Sequence, residues 1–240
     1  MVALGFAAGL WTAARRAPRA GMTADLVFDI GPWIIIGAII GARFLYVVSY
    51  WDRQFAGKAF TEVFMVHHGG LVYYGGLIGA SVACVVFSVV KKTRLWRIAD
   101  VLAPSIALGS VFGRIGCLLN GCCYGRVCAL PWGIQFPTEH ETHPAHVHPT
   151  QIYDSALNLV FYAGLEWLFR RGKFDGHVFS VYLIGYAVIR SAVEFFRGDY
   201  PARYLGGWAT PAHIVSIGIL ATGVILFLLL RRGAKTGVPA

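Results

Sequence analysis

Three arginines of this chain sit inside or at the end of apolar stretches: Arg43, Arg114 and Arg190. A charge at the bilayer centre costs about 2.5–3.5 kcal/mol on insertion scales, so residues kept there are candidates for function. A guanidinium is planar, stays charged and grips phosphate oxygens two at a time. Arg114 closes one apolar run, at the head of GRIGCLLNGCCYGR, residues 113–126. Arg190 lies within GYAVIRSAVEFFRGD, where Tyr186, Arg190, Glu194 and Arg197 recur every three or four residues. That spacing places them on one helix face. Two arginines near one end of a helical bundle suit the headgroup of an anionic phospholipid. The Arg190–Glu194 pair also fits a purely structural ion pair, and Arg43 also fits helix packing.

The second chemical feature is sulfur. Cys117, Cys122, Cys123 and Cys128 have C-x4-C-C-x4-C spacing, and His140, His143, His146 and His148 follow. Such a set could hold a metal, but the C-x2-C pairs of zinc sites are absent. On the outer side of a membrane oxidation is favoured, and the expectation is one or two disulfides pinning this loop, with no metal. Free thiols and redox chemistry stay open, as does the pairing. Cys84, deep in an apolar run, reads as packing, and the histidine-rich stretch EHETHPAHVHP as a solvated loop.

These residues need elements to hold them. Hydrophobic residues make up 57% of the 240, charged residues only 14%, against about 25% in soluble domains. The mean hydropathy is +0.61. Apolar segments recur at residues 2–14, 31–50, 71–90, 101–112, 155–169, 178–196 and 212–230. A helix needs about 20 residues to cross a bilayer. The runs are continuous rather than alternating, which favours helices over a barrel. Thirteen of the 21 basic residues lie in the connections after the first, third, fifth and seventh segments. Basic connections mark the cytoplasmic side.

The expected fold class is therefore an all-α integral membrane protein of about seven transmembrane helices, with its N-terminus outside and its C-terminus cytoplasmic. The net charge of +9 is accounted for by those connections, so no nucleic acid is implied. The chain reads as a single polytopic domain over residues 1–240, with an extracytoplasmic loop at about 120–154. Gly37/Gly41 and Gly75/Gly79 have small-xxx-small spacing, a helix-packing signal. Segment 2–14 is short, with no charged n-region or cleavage site of a signal peptide. It predicts a chain that starts late, inside its first helix.

The motifs carry a family likeness. ALGFAAGLWTAARRAPRAGM, GGLVYYGGLIGA, GRIGCLLNGCCYGR, HPTQIYDSALN and GYAVIRSAVEFFRGD resemble, in order, five blocks of the prolipoprotein diacylglyceryl transferase family. The resemblance spans nearly the whole chain and also implies seven helices with the N-terminus outside. It implies transfer of the diacylglyceryl group of phosphatidylglycerol to the lipobox cysteine thiol of a prolipoprotein, forming a thioether and releasing glycerol phosphate. It implies that Arg114 and Arg190 hold the phosphate and stabilise it as it leaves. Asn120, Gly125, His148, Gln151, Tyr153 and Glu194 are the implied substrate-binding set, and Arg43 joins them as a candidate from its place inside an apolar run. The implied partners are phosphatidylglycerol, the lipobox peptide and the lipid bilayer, and no cofactor. The implied location is the bacterial cytoplasmic (inner) membrane, multi-pass, with the active site facing outward.

The chain departs from the pattern at three positions. Where some members carry a histidine proposed as the base, this chain has Tyr74. Tyrosine is a poor base at neutral pH but can hydrogen-bond the lipid phosphate or polarise the thiol. His67 and His68 are nearby candidates for a substitute base. Cys117 and Cys122 stand where the family's signature has an asparagine and an acidic residue. The family's tryptophan–tyrosine–glycine stretch, just before the first helix, is missing. Two other readings of the scaffold are a membrane thiol–disulfide oxidoreductase, whose activity would survive loss of Arg190, and a non-catalytic phospholipid binder.

Overall fold

The computed structural model describes residues 1–56, 60–65, 69–199 and 210–236. His67 and His68 lie outside the described residues. The described residues form α1 (Val2–Arg16), α2 (Ala24–Ser49), α3 (Tyr73–Val90), α4 (Leu95–Leu119), α5 (Thr150–Phe169), α6 (His177–Glu194) and α7 (Pro211–Thr236), with short 3-10 or π turns between α1 and α3. Among them there is no β-strand, only isolated antiparallel bridges such as Gly125 with Arg197.

Each apolar run expected from the sequence lies in a helix, with shifted ends. α2 begins well before the apolar run because the Thr23 hydroxyl accepts the Leu26 N–H at 3.3 Å and Asp25 occupies the first turn. Both satisfy the exposed donors and positive end of a helix start. α4 does not stop at residue 112 but continues to Leu119, with Pro104 inside it. Four helices are long and apolar enough to cross a membrane: Ala24–Ser49, Tyr73–Val90, Leu95–Leu119 and Pro211–Ala234. α5 and α6 carry buried polar side chains, among them Asp154, Asn158 and Glu194.

Contacts divide the chain into two compact units, one of Gly21–Ile98 and one of Met1–Ala20 with Ala99–Ala240. In the first, α2 and α3 pack backbone to backbone. A Cβ at Gly41 would stand 2.3 Å from the Gly75 carbonyl oxygen, and one at Gly79 would stand 2.1 Å from that of Gly37. The glycine spacing is therefore a packing device, as its sequence pattern implies. Gly79→Val is expected to cost about 1–3 kcal/mol or more by overpacking, read as a lower unfolding midpoint in detergent. Gly164→Val, where a Cβ meets nothing within 4 Å, is the control.

In the second unit Ala103 and Ala107 of α4 meet Leu165 of α5 and Val178 and Tyr182 of α6. Asp100 of α4 reaches the start of α6 and accepts the N–H groups of Gly176 at 2.7 Å and Phe179 at 2.8 Å. α1 lies on α4 through Gly5, whose Cβ would stand 3.0 Å from the Phe112 Cβ. At the end of α1, Arg16 is 2% exposed and binds Glu166 of α5 at 2.8 Å. It also donates to the Val101 carbonyl and to Ser105. A residue expected in a solvated basic connection is thus a buried tie between α1, α4 and α5.

Candidate active site

The signature segment begins on α4 and turns sharply at its end. Gly121 adopts φ +71°, its N–H donates to the Leu118 carbonyl, and the Cys122 N–H donates to the Cys117 carbonyl at 3.1 Å. This paired closure ends a helix with a left-handed residue and stacks the residue after it over the last turn. Asn120 caps this end, exposed.

One turn earlier, the Arg114 Nε lies 2.7 Å from the Asp154 carboxylate on α5. Asp154 is 4% exposed, and its other oxygen accepts the Asn158 amide at 2.6 Å. Asp154 is the site candidate that sequence reasoning missed; its signal was the acid that closes HPTQIYD, in a block otherwise read for His148, Gln151 and Tyr153. Among the described residues the terminal amino groups of Arg114 have no hydrogen-bond partner. A cavity of about 270 Å³ lies between α4 and α5, lined by Arg114, Leu118, Gln151, Ile152, Ser155 and Leu159, among others, with walls that are almost wholly apolar.

Gln151, which also lines the cavity, carries a buried acceptor. Its amide nitrogen donates to the Cys122 carbonyl at 2.8 Å, which fixes the orientation of the amide. Its oxygen is buried and has no partner among the described residues. A buried acceptor without a donor is costly. The cavity walls themselves suit apolar chains, with Arg114 and Gln151 at their edge.

Arg190 and Glu194 pair directly at the end of α6. The Glu194 carboxylate is fully buried and also accepts the Thr210 hydroxyl at 2.7 Å. Arg197 stands 4.0 Å from it and closes a fork on Asp199 at 2.9 and 2.6 Å. Gly125 joins the supports of the two arginine groups. Its N–H donates to the His148 carbonyl at 3.0 Å, and the next N–H, of Arg126, donates to Phe196 at 2.8 Å. A Cβ at Gly125 would stand 2.5 Å from the His148 Cβ and 2.9 Å from the Phe196 oxygen. Gly125→Ala must therefore move backbone in three segments, with an expected loss of about 1–3 kcal/mol and of most activity, checked by unfolding midpoint and turnover together.

His148 and Tyr153 sit beside this crossing. The Tyr153 oxygen accepts the Trp132 indole N–H at 2.8 Å and lies 3.3 Å from the His148 Nδ1. Nearby, the Tyr124 hydroxyl donates to Glu141, a bond that pushes the phenol up to about 12 and keeps it neutral. The structure thus gathers Arg114, Gly125, His148, Gln151 and Tyr153 around the end of α4, with Arg190 and Glu194 at the end of α6. Arg43 and Tyr74 belong to the other unit. All three Arg43 guanidinium nitrogens bond backbone carbonyls, of Glu62, Val63 and Gly69 at 2.6–2.8 Å, and this cradle braces the segment before α3. Tyr74 is 53% exposed in the first turn of α3. The expected loop disulfides are not formed: all five cysteines are free.

A family model described as prolipoprotein diacylglyceryl transferase matches residues 1–229. A phosphatidylglycerol–prolipoprotein diacylglyceryl transferase of Clostridium tetani is 34% identical over 95% of this chain and 90% of its own length. One of Nitratidesulfovibrio vulgaris (strain Miyazaki F) is 34% identical over 100% of this chain and 91% of its own length. One of Rhodopirellula baltica is 42% identical over 57% of this chain, which is 28% of that relative.

Proposed function

Since the chain belongs to the prolipoprotein diacylglyceryl transferase family, we propose that it moves the diacylglyceryl group of phosphatidylglycerol onto the lipobox cysteine thiol of a prolipoprotein. The thiol sulfur attacks the glyceryl carbon that carries the phosphate. The carbon–oxygen bond breaks, its electron pair stays on the phosphate oxygen, and glycerol phosphate leaves as the thioether forms. The leaving phosphate gains charge, so donors fixed beforehand in a site shielded from water lower the barrier.

The observation that carries this reading is Arg114, anchored through Nε by Asp154 at the wall of the cavity between α4 and α5. The Gln151 oxygen takes a hydroxyl of the glycerol headgroup. Arg190, positioned by Glu194, adds positive potential at the same end. Asn120, His148 and Tyr153 line the approach. The reading includes one polytopic domain of seven spans, N-terminus outside, in the bacterial inner membrane with the site facing outward.

Phosphorus NMR of the purified protein with phosphatidylglycerol micelles and a lipobox peptide tests it. The expected result is a phosphomonoester signal growing in step with peptide consumed. A phosphodiester unchanged while the folded protein is present would overturn the reading.

A further inference from the structure

The cavity raises a problem that its lining does not solve. None of the side chains lining it is a base at neutral pH, yet a thiol must lose its proton to attack carbon. The sulfur atoms of Cys117, Cys122 and Cys123 lie within 4.8 Å of one another, each half-buried. The helix closure described above sets this up. It stacks Cys122 over Cys117, and Cys123 then takes φ +64°, a region disfavoured for a residue with a Cβ. Held strain of this kind gathers at sites that use it. Tetrahedral zinc with sulfur at about 2.3 Å needs sulfurs about 3.8 Å apart, so small side-chain rotations close the set.

We propose that Cys117, Cys122 and Cys123 bind zinc through three thiolates and leave its fourth position to the sulfur of the incoming thiol. No histidine, aspartate or glutamate ligand atom joins the three among the described residues. Three protein ligands and an open position are the pattern of catalytic rather than structural zinc. A thiol bound to the metal is deprotonated outright, its proton passing to water. The bound sulfur then attacks the glyceryl carbon as phosphate leaves, with no change of oxidation state. Arg114, one turn before Cys117 on α4, offsets the negative charge of the thiolate-rich centre. The thiol-activating role rests on the transferase reading; the metal site does not.

Cobalt is the probe, because its thiolate complexes absorb strongly. The full chain in detergent, stripped with chelator under reductant, is titrated with Co2+. Charge-transfer absorption is expected to saturate at one equivalent in the wild type and in Cys84→Ser and Cys128→Ser. Affinity is expected to fall at least tenfold in Cys122→Ser. Wild-type protein also gives a readout independent of variants: bound Cd2+ should protect these three cysteines from alkylation, scored by peptide mass. No thiolate absorption, an affinity unchanged in Cys122→Ser, or no protection would overturn the site. A stable disulfide among the three would do the same.

A lipobox peptide should shift the cobalt spectrum while its serine analogue does not; an unchanged spectrum overturns the fourth-position role. Lipidation at full rate by metal-stripped protein overturns that role and leaves the transferase reading standing. A protein that binds cobalt as stated but lipidates nothing with zinc restored supports the metal site and overturns the transferase reading instead.

Discussion

Arg114→Ala lowers the turnover of lipobox-peptide lipidation about 10²–10³-fold, the loss seen when one preorganised donor to developing charge is removed. The effect falls on kcat more than on KM, because phosphate charge grows as the carbon–oxygen bond breaks. Arg114→Lys recovers little. Lysine offers a point charge, whereas Asp154 holds Nε and leaves a planar fork for two phosphate oxygens. Asp154→Asn keeps the guanidinium but loosens its anchor, so its loss is smaller than that of Arg114→Ala. Initial rates across peptide and lipid concentrations, with circular dichroism to verify folding, separate these outcomes. An Arg114→Lys enzyme at near wild-type kcat would contradict the forked geometry.

Glu166→Gln costs about 3–5 kcal/mol of stability, the penalty for leaving one partner of a buried ion pair uncompensated. The charge left behind is Arg16, 2% exposed. Arg16→Met costs less. Glu166 is 19% exposed and retains Arg19 at 3.7 Å and Arg170 at 3.6 Å, so its charge is not stranded. Unfolding midpoints in detergent for the two variants should therefore be unequal. Equal losses would mean that the pair acts through packing alone.

Much of the fold could be read from hydrophobic runs, because a helix long and apolar enough to cross a membrane carries a continuous apolar pattern. The ends could not. The start of α2 is set by Thr23 and Asp25, polar residues that an apolar-run reading discards. Arg114 and Arg190 stood out because charge is rare in such a chain. Asp154 did not, because its partner lies on another helix and only the pairing reveals it. Arg16 shows the opposite error: the basic connection was legible, but not that one arginine in it turns inward to Glu166. The cysteine trio was visible as spacing and dismissed for lacking C-x2-C. What brings it together is the left-handed turn at Gly121, which closes a five-residue separation as tightly as a shorter motif would.

The most direct test weighs the acceptor. A lipobox peptide and its cysteine-to-serine analogue are each incubated with the purified protein and phosphatidylglycerol, and their intact masses are measured. The account predicts a gain of one diacylglyceryl group on the cysteine peptide, none on the serine peptide, and none on either with Arg114→Ala. Both peptides unchanged with folded wild-type protein, or a gain that persists in Arg114→Ala, would contradict it.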